Sequence, residues 1–174
     1  MWFSQAMNDA LNTQIGMEFR ASQQYVAIAA YFDTEALPLL SARYYKQAEE
    51  ERAHAMRLIK YVLDAGGKLQ LPQIPAMEAE FASAEDAVAK AYEGERDVTN
   101  AINTLLDGCM ADKDHLTSNF LQWFIAEQRE ELASAETMLK LIQRSGGGSG
   151  LIQVESYLGR RGLPNEDESS EEAE

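Results

Sequence analysis

Cysteine occurs once, at Cys109, so no disulfide can close within the chain and no Cys-x-x-Cys centre can form. Proline is scarce, with four residues, and two of them, Pro72 and Pro75, fall in one stretch, so long segments run without a helix breaker. Basic residues are few: Lys and Arg number 15 against 29 Asp and Glu, a formal net charge of −14. Broad repulsion then opposes nucleic acid and anionic membrane as partners, and metal cations become the better ones. No apolar run approaches the ~18 residues that span a bilayer. The first residues lack the basic-then-apolar order of a secretion signal, and with a single cysteine this points to a reducing cytoplasm.

What is present is helical periodicity. Over residues 4–32, Leu11, Ile15, Glu18, Ser22, Tyr25, Ala29 and Phe32 follow steps of three and four. Pro38 fits the first turn of a second helix, which carries Tyr44, Gln47, Glu51, His54, Leu58 and Tyr61. Gly66-Gly67 stops it, and 66–83 reads as a long connection closed by an N-cap at Ser83. A third helix has Val88, Tyr92, Glu95, Thr99, Ile102, Leu106 and Cys109 in line. After Asp112-Lys113-Asp114 a fourth lines up Leu121, Phe124, Gln128, Glu131, Ala135, Met138 and Ile142. A glycine-rich hinge at 145–150 precedes a short fifth helix over 151–158, ending before Gly159. Leu151, Ile152, Val154 and Leu158 of that helix are expected to stand exposed on a single subunit and so to call for a closed shell. The fold class is all-α: a four-helix bundle with a long crossover between the second and third helices and a short fifth helix. Residues 1–162 form the domain, and 163–174, with Glu166, Asp167, Glu168, Glu171, Glu172 and Glu174, read as an acidic tail.

Every apolar line is interrupted by a carboxylate or its partner: Glu18, then Glu51 and His54, then Glu95, then Gln128 and Glu131. Antiparallel helices joined by a short turn place residues equally far from the turn at one height. Around a turn centred on residue 35, Glu18 lies 17 before, and the position 17 after falls between Glu51 and His54. Around residue 113, Glu95 lies 18 before and Glu131 lies 18 after. The crossover can reach roughly 60 Å when extended, against roughly 40 Å for the second helix, so the third helix can run parallel to the second. All six side chains then converge on one mid-bundle level. Buried carboxylates are costly unless paired or bound to metal, and one in each helix calls for a shared cause. Several carboxylates with one imidazole suit iron better than structural zinc, and Glu51-x-x-His54 aims two donors at one interior point. Two ions held together can pass two electrons to dioxygen in concert.

With these residues the chain resembles the bacterial-type non-haem ferritins, over nearly its whole length from Asn8 to Gly162. The resemblance rests on Ala21-Ser22-Gln23-Gln24-Tyr25, Glu49-Glu50-Glu51-Arg52-Ala53-His54, Glu95, and Asn119-Phe120-Leu121-Gln122-Trp123-Phe124 leading into Glu127-Gln128-Arg129-Glu130-Glu131. It implies an iron-storage ferroxidase that oxidises Fe(II) with dioxygen or peroxide. It implies one iron on Glu18, Glu51 and His54, and a second on Glu51, Glu95 and Glu131 with Gln128 close by. A third iron would use Glu50, Glu127, Glu130 and Glu131. Tyr25 and Trp123 match aromatic positions beside the centre, where a ring supplies an electron or hydrogen-bonds a ligand. Twenty-four subunits would form a hollow shell, with the fifth helix at its four-fold axes.

The chain departs from related patterns at two places. Bacterioferritins carry a second Glu-x-x-His in the fourth helix and a haem-ligating methionine in the second; here stand Glu127-x-x-Glu130, Gln128-x-x-Glu131 and Arg52, so no haem is expected. Ser118 and Leu121 occupy the positions matching the acidic three-fold pores of animal ferritins, so that route for iron does not carry over. A diiron peroxidase or oxidase on the same bundle, without storage, is the alternative reading.

Overall fold

The structure is a computed structural model that describes residues 1–161; the expected acidic tail lies outside the described residues. Its helices are α1 (Gln5–Thr34), α2 (Pro38–Asp64), α3 (Ala84–Asp112), α4 (His115–Ser145) and α5 (Gly150–Arg161), with no strand among the described residues. The stop and start signals act as their chemistry predicts. Ser4 and Ser83 cap α1 and α3 by accepting from the Met7 and Asp86 amides. Asp114 caps α4 through the Thr117 amide, and Pro38 opens α2. A cap of this kind contributes about 1 kcal/mol.

Directions follow from contacts at one end. The Trp2 amide donates to the Ala65 carbonyl at 3.0 Å and the Ser4 hydroxyl to Asp112 at 2.7 Å. The start of α1 therefore meets the ends of α2 and α3, so α1 is antiparallel to both and α2 runs parallel to α3. The crossover between α2 and α3 is strapped to α1 rather than loose. Asn8 and Asn12 donate to the Lys68 carbonyl and accept from the Lys68 and Gln70 amides, and Gln24 donates to the Glu78 carbonyl. Gly16 makes room for it: a Cβ there would lie 2.3 Å from the Pro72 ring.

Two expectations about the last helix need correction. It does not end before Gly159 but continues to Arg161, because a lone glycine inside a helix costs only about 1 kcal/mol and here it lies against Leu39. Nor does its apolar face stand free. Val154 and Leu158 are buried in the subunit's own core, Leu151 is half-buried, and Ile152 stays exposed. Gly146, Gly147 and Gly148, all at positive φ, allow α5 to fold back in this way.

The apolar core is in two halves. One, around Phe32, Tyr44, Val88 and Met138, fills the end where α5 docks. The other, around Leu11, Leu58, Ile102 and Phe124, fills the end where the chain starts. Between them lies a layer of polar side chains.

Candidate metal centre

That layer holds the six side chains that interrupted the apolar lines. Glu18, Glu51, His54, Glu95 and Gln128 are buried and Glu131 nearly so. Two groups form around a shared member: Glu18, Glu51 and His54, and Glu51, Glu95 and Glu131, each with donor atoms within 4.8 Å of one another. His54 Nδ1 lies 3.6 Å from Glu51 and 3.8 Å from Glu131. These are not ion pairs, because burial, helped by the Arg57 cation, lowers the imidazole to about 4 and keeps it neutral. A neutral imidazole is the form that ligates metal.

The carboxyls are held at their edges and open at the centre. Gln14 donates to Glu18 at 2.8 Å, and the Tyr25 hydroxyl and Gln128 amide donate to the two oxygens of Glu95. Glu18 Oε2, Glu51 Oε1 and Glu131 Oε2 are buried with no hydrogen-bond partner. Orphaned buried acceptors are rare, and several facing one another are what a cation satisfies. Burial raises Glu18 to about 7, and burial with the neighbouring Glu95 and Glu18 charges raises Glu131 to about 9. Glu51 is pushed well up by burial and by Glu131, Glu95 and Glu18; burial also raises Glu95. Four carboxyls here cannot all ionise without an added positive charge. Cys109 is not a ligand: it sits in the apolar half, its thiol pushed up to about 11 by burial.

Tyr25 is fully inside the layer's edge, its phenol raised far above its ordinary range by burial and Glu95. Trp123 is half-buried, with its ring edge-on to His54 at 5.3 Å and Arg57 over its face at 4.0 Å. Glu50, Glu127 and Glu130 do not enter the buried layer. They line, with Glu131 and His54, an open cleft of 460 Å³ between α2 and α4. Glu130 is exposed and paired with Arg129 at 3.3 Å.

Several residues escaped the sequence reading. Gln14 sits one turn before Glu18 on the same face, a spacing that could have been read. Arg43 and Ser134, which meet across the cleft at 2.7 Å, lie on the cleft-facing stripes of α2 and α4, as lone polar residues that resemble an ordinary solvated face.

The family described as Ferritin-like domain matches residues 8–145. The chain is 41% identical over 150 residues to "Ferritin BfrB" of Mycolicibacterium smegmatis, covering 86% of this chain and 82% of the relative. It is 37% identical over 146 residues to "Bacterial non-heme ferritin" of Staphylococcus saprophyticus, covering 84% and 87%. Among solved structures, an open pore ferritin from Archaeoglobus fulgidus superposes with a TM-score of 0.87 at 35% identity, covering 92% of this chain and 99% of that one. Sequence, architecture and the carboxylate layer at mid-bundle agree, and the chain belongs to the ferritin family.

Proposed function

We propose that the chain is an iron-storage ferritin subunit that oxidises Fe(II) at a two-iron centre and passes the ferric product into a hollow homo-oligomeric shell, with 24 subunits as the expected number. The observation that carries this reading is the pair of donor groups sharing Glu51, with three carboxyl oxygens that nothing in the protein satisfies. Glu18, Glu51 and His54 hold one iron, and Glu51, Glu95 and Glu131 hold the other, with Gln128 and Tyr25 fixing Glu95. Gln14 does the same for Glu18. Each Fe(II) gives one electron, so two bound together reduce one dioxygen by two electrons, with two protons, to hydrogen peroxide. Peroxide can serve as the oxidant in the same way.

The cleft carboxylates Glu50, Glu127 and Glu130, with Glu131 between cleft and layer, form the third iron site in this reading. Haem has no part in it, since Arg52 stands where a methionine ligand would be needed. A cytoplasmic location suits the lone buried thiol. No described helix is long and apolar enough to cross a membrane.

Aerobic loading with increasing Fe(II), followed by counting iron retained per subunit after gel filtration, tests the reading. Retention far above three irons per subunit is expected. Retention of two with continued turnover would make the chain a diiron oxidase or peroxidase without a store, and no fast oxidation at all would remove the centre.

A further inference from the structure

The cleft beside the carboxylate layer has a cationic wall that iron binding does not use. Arg43 is 7% exposed, yet its Nε has no hydrogen-bond partner. A guanidinium carries five N–H donors in a planar fork; here one donates to the Ser134 hydroxyl, and the cation also acts on the Glu50 carboxyl. Arg43, Lys46 and Glu50 follow one another at steps of three and four along α2, so they face the same cleft. The Lys46 ammonium lies 3.8 Å from Glu50. A buried arginine that lines a cavity large enough for a small polyatomic ion and keeps one donor unmet is unlike a surface counter-ion.

We propose that this cleft binds a phosphate-class oxyanion on Arg43 and Ser134, with Lys46 alongside, next to the two metals that His54 and Glu131 respectively help to hold. The inference deepens the function proposed above and rests on it for the cations that accompany the anion. Charge balance supplies the second argument. Two divalent ions cancel the four carboxylates of the layer, Glu18, Glu51, Glu95 and Glu131, and so lift the repulsion they would exert on an anion beside them, while two ferric ions exceed them by two charges. In a site shielded from water the excess must be met by anions at short range. Hydroxide from water meets part of it within the layer. An oxyanion in the cleft meets more, and Arg43 gives it a directional, paired hydrogen-bond edge that a metal ion alone does not provide. In the metal-free protein the same cleft is dominated by Glu50, Glu127 and Glu130, so anion and metal bind with mutual support rather than independently. No redox step is involved: the anion enters and leaves as a ligand.

The test uses the full chain freed of iron and loaded with two Co(II) per subunit, which cannot turn over with oxygen as iron does, and radiolabelled inorganic phosphate as the probe. Equilibrium dialysis should find about one phosphate per subunit, held about tenfold more weakly without cobalt. Arg43→Gln should weaken retention by about tenfold or more at unchanged cobalt stoichiometry, and Arg43→Lys should restore part of it. In the unmutated protein, cobalt should broaden the phosphorus resonance of bound phosphate, a readout that needs no variant to fold. Absence of cobalt-dependent phosphate binding, or binding indifferent to Arg43→Gln, would overturn the proposal. Fe(II) oxidation measured on the same preparation without phosphate separates the two readings. Normal oxidation with no Arg43-dependent phosphate removes only the anion site. Arg43-dependent phosphate with no oxidation removes only the oxidase.

Discussion

Glu95 differs from the other three carboxyls of the layer in that both of its oxygens are held, by Tyr25 and by Gln128. It is the most fixed donor in the centre, and its loss would strand a buried phenol and a buried amide as well. Glu95→Ala should therefore slow the first oxidation phase, at two irons per subunit, by about 100-fold, because one iron alone cannot share a two-electron reduction. Stopped-flow absorbance of the ferric product measures this, and an unchanged fast phase would sink the assignment. Glu130→Ala makes the contrast: exposed and paired with Arg129, it should leave that first phase intact and alter later turnover or iron stoichiometry. The raised carboxyls also give a stability signature. Glu131 goes from its ordinary 4.5 to about 9 in the fold, and Glu18 to about 7, so the metal-free native state binds more protons than the unfolded chain. Stability must then fall as pH rises through that interval. His54, lowered to about 4, acts oppositely but only below its unfolded value of 6.5. Glu131 contributes to the slope between pH 7 and 9 alongside Glu51, which is also pushed well up, so the melting temperature of metal-free protein should drop across that window and Glu131→Gln should lessen the drop. Bound Zn(II), by replacing the protons, should restore the melting temperature most at the alkaline end; a flat profile in the metal-free protein would contradict the burial argument.

At the scale of elements, α2 shows how far one helix depends on another. Its N-cap residue is Leu37, which has no side-chain oxygen to offer, and Pro38 follows. The cap comes instead from α5, where the Glu155 carboxylate accepts from the Leu39 and Leu40 amides at 3.0 and 2.8 Å. An anion at a helix N-terminus also meets the favourable end of the helix dipole. Glu155→Ala should cost about 1 to 2 kcal/mol and loosen α5. Hydrogen exchange should then speed up at the Leu39 and Leu40 amides and along α5 while α3 is unaffected; protection unchanged at those two amides would refute the cap. The same pair of helices marks the limit of what local sequence encodes. The four long helices were legible because apolar steps of three and four, Pro38, Ser83 and Asp114 are all local signals. The polar layer was legible because equal distances from two short turns fix height. The crossover straps were not, since Asn8 and Asn12 look like a solvated face until the chain that buries them is known. Glu155 and Arg43 escaped for the same reason: their partners lie 115 and 91 residues away, and nothing in their immediate sequence names them.

For the whole molecule, the packing of Val154 and Leu158 inside the subunit moves the case for a shell to other surfaces. Trp2 and Leu116 are 61% and 62% exposed and line one hollow where the chain start meets the α3–α4 turn. In the proposed shell, these exposed apolar side chains at one end of a highly charged subunit are the surface expected to meet another copy. Against that contact stands the formal charge of −14 per subunit, which a closed shell gathers into a small volume. The charge acting at a distance is smaller than the formal count, because burial raises the carboxyls of the central layer and so lowers their share of the charge. What remains is surface charge, and surface charge is screened by salt over about 10 Å at 0.1 M. Assembly should therefore be strongest at moderate ionic strength and weaken as salt is removed. Light scattering at micromolar subunit concentration should find a particle of about 24 subunits near 0.15 M salt, with smaller species gaining ground near 0.01 M, where repulsion reaches out to about 30 Å. Trp2→Asp with Leu116→Asp should shift the balance to small species at every salt concentration while leaving the helical circular dichroism in place, since neither side chain is part of the buried core. A monomer or dimer from the unmutated chain under all conditions would remove the storage reading, even with oxidation at the two-iron centre intact. A full-sized shell from the double variant would move the contact away from this end of the bundle.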